Sequence, residues 1–588
     1  MALLAAGLLA PAGVEALADD DRPVQLLPGL DAQPLEPDYA PENEDVFQPQ
    51  KPARSKDAVE IDELEAVGPD GTGLGESAGG NLPATIWRGS KRDYVEALMA
   101  RLPTSGPSLT MRRLAIGLLA TQATPPEGGG PPGSFLSARA GALAAMGEYQ
   151  IAAALLANAP TSPALDAVRA RIETDLDFLA GGEEFARACT HTREEVKRSG
   201  EPYWQKALIF CQIIGGEAEA GRIGLDVLRD GGEPDKAFLV LADAVLGSKA
   251  KLEALPDPTP LHFAMLKRAK RPIPESASEG ANPALMRLIA ASADTPMKLR
   301  LAAVERAELA GTVPAESVGK FYEVQQFKKA ELTNPLKAAE KLSGPMARAL
   351  IYRAILAEPT PDGQAKLMQA GFARARQDKA FPMFARVVFP LLAKIEQTPA
   401  LAFFAGDAAR ALLAGGEPAM AKRWHTLAAE QGRSDPALFD IAVSLWPVMA
   451  LAEQTTGEPF KPDLFDAWLK VNGGTATPEA AQRASLTVTL MKALGLQVPD
   501  QVVLDITLGG GNETASVPPP ALVDALGKAA AEQRSGETGL LSLAALGNDG
   551  PTRASTLTLA LTVQSLNNAG LALPARTLAL EAALGKGL

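Results

Sequence analysis

The sequence predicts an all-α protein, an α-α superhelix preceded by a disordered acidic linker. Three observations predict it. From about residue 86, apolar side chains recur at i, i+3, i+4 and i+7, the mark of amphipathic helices. A Gly-Glu turn returns at intervals of 34 and 35 residues. The formal net charge of −13 is confined to the chain before residue 86.

The charge divides the chain. Residues 19–85 hold 16 acidic and 4 basic side chains, whereas residues 86–588 balance 53 against 53. The acidic stretch is rich in Pro, Asp, Glu and Gly and follows no helical or strand period. Such a composition buries too little apolar surface to offset chain entropy, so residues 19–85 read as a disordered tether. Within it Val59–Val67 (VEIDELEAV) alternates apolar and acidic residues and is the piece best suited to fold on a basic partner.

Residues 1–18 (MALLAAGLLAPAGVEALA) carry Glu15 as their only charge and end in Ala16-Leu17-Ala18. An apolar run closed by an A-x-A site reads as a secretory signal cleaved after Ala18, although the basic start of such signals is missing. The run is short for a membrane span and is broken by Pro11. The sequence therefore places the protein in an oxidising, periplasmic compartment, outside the class of integral membrane proteins.

Next come the helices. Tyr94–Leu102, Met111–Ala120 and Tyr203–Ile214 are representative, and Gly, Pro, Asn and Asp punctuate the pattern every ten to twenty residues. Roughly twenty to twenty-five helices follow from that spacing. Only Gln501–Leu508 (QVVLDITL) invites a strand reading. Residues 86–500 read as the repeat array and 501–588 as a C-terminal helical segment, with the Gly- and Pro-rich stretch at 495–520 as the break between them.

The repeat is built on Gly147-Glu148-Tyr149, Gly182-Glu183-Glu184 and Gly216-Glu217-Ala218, with a later copy at Gly416-Glu417-Pro418. Glycine permits the left-handed turn that ends one helix. The acidic residue suits the positive N-terminus of the next. Ala152, Gly221 and Ala421, five positions on, let paired helices approach, and Arg187 breaks that rule in the second copy. The turn Gly147–Ala152 with its 34-residue period resembles tetratricopeptide repeats over about residues 134–250. The whole layout is similar to periplasmic helical-repeat proteins of alphaproteobacteria, among them the MotC-like motility proteins. That resemblance implies envelope or motility-apparatus proteins as partners.

Cys189 and Cys211 are the only cysteines. They fall on consecutive antiparallel helices, so a disulfide closing a loop of roughly 20 residues is expected in an exported protein. The competing reading is two buried thiols serving as small hydrophobes. C-x-x-C spacing is absent, which argues against a redox-active pair.

Chemical motifs are few. Gly75-Glu76-Ser77-Ala78-Gly79 has the G-x-S-x-G form but lacks the strand and helix that strain a nucleophilic serine into place. His191, His262 and His425 are not spaced as metal ligands. No phosphate-binding glycine loop and no H-E-x-x-H occurs. The basic clusters Lys267–Arg271 and Lys328-Lys329 read as solvated faces; the first closes a helix, where it can satisfy terminal carbonyls, and alternatively could receive an acidic segment such as the linker. The five tryptophans read as core.

No catalytic residue, metal ligand or cofactor is expected, and the chain is too acidic to suggest a nucleic-acid binder. A non-enzymatic periplasmic scaffold is the leading expectation. A peptidoglycan-related enzyme, or a regulator of one, with an unrecognised carboxylate site is the alternative.

Overall fold

In the computed structural model the described residues are 68–76, 79–104, 106–278, 283–453, 460–508 and 517–588. The expected signal at 1–18, the acidic stretch 19–67 with VEIDELEAV, and Ser77 lie outside them. The described chain is all-helical, with 28 α-helices and no strand.

The chain enters through a 3-10 turn, Pro69–Gly71, and reaches α1 (Arg92–Met99) and α2 (Leu109–Ala120). The first stack follows: α3 (Ser134–Ala145), α4 (Tyr149–Ala157), α5 (Pro163–Ala180), α6 (Glu184–Glu195), α7 (Pro202–Ile214), α8 (Ala218–Asp230), α9 (Lys236–Val245) and α10 (Pro260–Ala269). Consecutive members pack on one another, and α10 folds back on α5. The middle of the chain comprises α11 (Pro283–Ala291), α12 (Met297–Leu309), α13 (Ala315–Glu323), the short α14 (Lys329–Thr333) and α15 (Pro335–Ala339), α16 (Gly344–Ala357), α17 (Pro361–Gln377) and α18 (Phe381–Leu392). The last part holds α19 (Ala405–Ala414), α20 (Pro418–Gln431), α21 (Pro436–Glu453), α22 (Pro462–Val471), α23 (Pro478–Ala493), α24 (Asp500–Leu508), α25 (Pro520–Ala531), α26 (Ser535–Leu546), α27 (Thr556–Asn568) and α28 (Ala572–Gly585).

The repeat glycines behave as their spacing requires. Gly147, Gly182, Gly216 and Gly416 all adopt positive φ, where a side chain is strained. Ala152, Gly221 and Ala421 are buried, and a Cβ on Gly221 would come within 2.6 Å of the Ile213 side chain. The acidic residues act differently from expectation. Glu148, Glu217 and Glu417 precede their helices without a side-chain capping bond. Glu148 instead pairs with Arg112 of α2 at 2.5 Å, and Glu217 with Arg193 of α6 at 3.2 Å.

Three expectations change. Gln501–Leu508 lies within α24 rather than in a strand. Its β-branched residues suggested a strand, but Val502, Val503 and Ile506 are spaced to meet the core from one helical face. Second, residues 68–76 and 79–85, expected in the tether, belong to the folded body. Leu74 N–H bonds the Ala120 carbonyl at 2.8 Å, and Asp70, Thr72 and Leu74 are buried. Third, the ends of the array meet: α1 packs on α26, α2 on α26 and α28, and α28 on α18, α19 and α21. Segment 501–588 therefore closes the body onto its own beginning, whereas units of an open solenoid touch only their neighbours.

Arg139 fastens the entry segment. It is fully buried and donates to the carbonyls of Leu119 (2.7 Å), Thr72 (2.7 Å) and Thr121 (2.8 Å). Burial lowers its guanidinium to about 10, still charged at neutral pH. Asp70 pairs with Arg92 at 3.0 Å and accepts the Leu136 N–H. Gly73 lies so close to α2's end that a Cβ would fall 1.9 Å from the Gln122 backbone nitrogen.

The five tryptophans are buried. Helix α21 is the one described helix long and apolar enough to cross a membrane. It packs against α19, α20, α22 and α28, as a core helix does.

Two stability measurements check this account. Arg139→Met keeps the volume but strips three buried carbonyls of their donors, and should cost about 3–5 kcal/mol in urea unfolding. It should also open a protease site upstream of Ser90. An unchanged midpoint would remove Arg139 as the fastener. Replacing Cys189 and Cys211 together by alanine frees a loop of 22 residues' separation in the unfolded state and should cost about 3 kcal/mol.

Candidate functional site

Cys189 of α6 and Cys211 of α7 form the disulfide, with Cα atoms 5.4 Å apart. The antiparallel packing of consecutive helices brings them together. An intramolecular disulfide is compatible with an oxidising compartment.

The histidines occupy three separate places. His262 accepts the Thr259 N–H at the start of α10 and sets its Nε2 3.2 Å from Asp235. Lys206 reaches the same carboxylate at 3.0 Å. Burial would raise the Asp235 carboxyl, but His262, the Phe238 N–H and Lys206 outweigh it and hold it well below the carboxylate range. His191 lines a cavity of about 650 Å³ beside Arg187 and Asp177. His425 follows the buried Trp424 on α20, and burial lowers its pKa. Among the described residues, no three His, Cys, Asp or Glu side chains gather as metal ligands.

Two members of the first basic cluster bond backbone carbonyls. Lys267 donates to the Ala180 carbonyl at the end of α5 (3.1 Å), and Arg271 to the Ser248 carbonyl (2.5 Å). Lys270 ends α10 in the left-handed conformation. Lys267 and Arg271 thus tie α10 to the end of α5 and to the segment after α9, while Arg268 and Lys270 are exposed.

A different site emerges where the body closes. Helices α18, α23, α27 and α28, with the ends of α12 and α17 and the residue Pro107 before α2, enclose a cavity of about 520 Å³. Six cationic side chains line it: Arg376, Lys379, Arg386, Arg483, Arg553 and Lys586. Glu479 and Glu581 are the acidic residues of the lining, and Phe381, Pro382 and Leu486 supply apolar wall.

Each wall has a local cause. On α12, Glu305 and Glu308 sit one turn apart and are both buried. Glu305 takes Arg348 of α16 at 2.5 Å, while Glu308 takes both Nε and Nη2 of Arg386 at 2.6 and 2.8 Å. Burial would lower the Arg386 guanidinium, but its hydrogen bonds with Glu308 more than restore it. Arg376 pairs with Asp407 at 2.7 Å and lies over the Phe381 ring. Arg553 pairs with Asp549. Arg483 donates to the Asn472 side-chain oxygen at 2.7 Å. Lys379 follows α17 at positive φ and is exposed. Neither Arg483 nor Lys379 has a carboxylate partner among the described residues. Glu581 of α28 accepts the Thr110 N–H at 3.3 Å in the first turn of α2, across 471 residues of sequence. Burial pushes its carboxyl above the usual carboxylate range. With Arg376, Arg386 and Arg553 already paired, Lys379 and Arg483 are the cations that the cavity offers a carboxylate, beside its apolar side.

Sequence reasoning missed this site. Its cations are spread between residues 376 and 586, with no motif spacing them. The one sequence signal was the neutral total of the body, which conceals how the charges sort in space. Comparison of the chain with protein-family models, with curated proteins and with solved structures found no match.

Glu581→Gln tests the electrostatics. A carboxyl whose folded pKa is raised stabilises most below its unfolded value, near 4.3, and loses that contribution as pH rises through the folded value. The glutamine variant escapes the loss. Its Tm should exceed that of the parent by about 2 °C or more at pH 8, and the gap should close by pH 4. A pH-independent difference would refute the assignment.

Proposed function

We propose that this protein is a non-enzymatic adaptor of the bacterial periplasm that holds envelope or motility-apparatus proteins. Its stacked α3–α9 pairs serve as a tetratricopeptide-like superhelical surface, and the cavity between α18, α23 and α28 is its docking point. The observation that carries the reading is that cavity: Lys379 and Arg483, which have no carboxylate partner among the described residues, stand beside an apolar wall and suit an acidic peptide segment of a partner. The Cys189–Cys211 disulfide supports the compartment, together with the signal-like residues 1–18. A second reading, a peptidoglycan-related enzyme or enzyme regulator, is favoured by Glu479 and Glu581, two carboxylates on the same cavity.

Crosslinking capture from periplasm decides between them. The parent chain should capture envelope proteins in a salt-sensitive manner, and Lys379→Glu with Arg483→Glu should cut the yield at least about tenfold. Equal capture by the variant would sink the docking point. Release of soluble muropeptides from peptidoglycan by the purified chain, abolished in Glu479→Gln, would replace the adaptor by the enzyme.

A further inference from the structure

We infer that the groove between the start of α12, the end of α13 and the turn from α15 to α16 is a separate docking surface, which takes an acidic peptide segment bearing large apolar side chains. It shares no residue with the cavity where the body closes, and it does not depend on the reading of that cavity.

The groove is a recess of about 660 Å³ whose lining carries cations and no carboxylate. Its cations are Lys298 at the start of α12 and Lys341 after α15, both exposed. Neither forms an ion pair among the described residues. The carboxylates nearby are placed otherwise. Glu331 accepts the Lys328 N–H at 2.7 Å, Glu323 bonds the Tyr352 hydroxyl, and Glu340 lies outside the lining. Lys328 and Lys329, the second basic cluster of the sequence, are exposed just beyond Gln326 and extend the positive rim. Between the cations the lining is apolar. Met297 is 37% exposed and Val324 48%, with the half-buried Leu342 and Met346 beside them. Single exposed apolar residues need no explanation, but several converging on one recess mark an interaction surface. The two methionines let its wall adapt to an apolar guest. Unpaired lysines around an apolar recess complement carboxylates around an apolar side chain.

The walls are held in place by bonds from the surrounding helices. Gln325 is buried, and its Nε2 donates to the Phe321 carbonyl at 2.8 Å and to Met297 Sδ at 3.3 Å, which joins the end of α13 to the start of α12. Arg353 of α16 donates to the carbonyls of Glu323 and Gln325. Arg374 of α17 donates to those of Ala339 and Leu342, each at 3.3 Å. A ligand therefore meets a largely preformed surface. The concave shape selects the kind of ligand. A flat lipid surface would reach the exposed lysines but not the half-buried Leu342 and Met346, whereas a peptide inserting an apolar side chain reaches both.

Fluorescence anisotropy with the purified full chain tests the groove. The probe is a labelled peptide whose leucines recur at i, i+3 and i+4 among glutamates. The parent should bind it, and Lys298→Glu with Lys341→Glu should weaken binding at least about tenfold. Val324→Asp, also at an exposed position, should act in the same direction. Changing the glutamates of the peptide to lysine, or its leucines to serine, should abolish binding. Lys379→Glu with Arg483→Glu, in the other cavity, should leave it unchanged. No binding by the parent, equal binding by the Lys298 and Lys341 variant, or a loss confined to the Lys379 and Arg483 variant would overturn the inference. So would binding of phosphatidylglycerol vesicles in place of the peptide, which would make the surface a lipid site. Peptide binding through Lys298 and Lys341 by a chain that captures no envelope protein would uphold the groove and remove the adaptor's proposed partners alone.

Discussion

Helix α2 is the constraint on which the rest depends. It carries eight buried residues among twelve, with neighbours from both ends of the chain: α3 on one side, α26 and α28 on the other. A helix so enclosed needs its terminal backbone groups satisfied from within the protein. Ser108 caps its first turn, Glu581 of α28 accepts the Thr110 N–H, and Arg139 takes the Leu119 carbonyl at its far end. Ser108 is local and Arg139 lies on the next helix, but Glu581 comes from 471 residues away. That bond joins the last helix to one of the first.

The second organising feature is the pair of buried carboxylates on α12. Glu305 and Glu308 could not remain charged there alone, because unpaired burial of an ion costs several kcal/mol. Each is matched by an arginine from another helix, Arg348 or Arg386. The match fixes α16 and α18 relative to α12. It also places Arg386 at the wall of the cavity, where closure of the body by α28 adds Lys586 and Glu581. The charge of the cavity is thus a by-product of how the layers are held together.

Local patterns were legible residue by residue. The turn glycines Gly147, Gly182, Gly216 and Gly416 announced their conformation because a left-handed backbone tolerates little else. Cys189 and Cys211 announced their pairing because consecutive helices run antiparallel at a fixed spacing. Gln501–Leu508 misled because β-branched residues suit both a strand and a buried helical face. Residues 68–76 misled because their Gly-rich composition, suited to a tether, also suits close backbone contact, as at Gly73 against Gln122.

By itself the sequence determined that the protein is helical, that its acidity sits ahead of a neutral body, and that its helices turn on glycine at a near-regular interval. These are short-range properties, set by periodicity, backbone sterics and local charge. Only the tertiary structure decided that the array closes on itself, that Arg139 and Glu581 hold its ends, and that six dispersed cations converge. Each of those depends on residues far apart in sequence and close in space, and separations of hundreds of residues leave no periodic trace in a single chain.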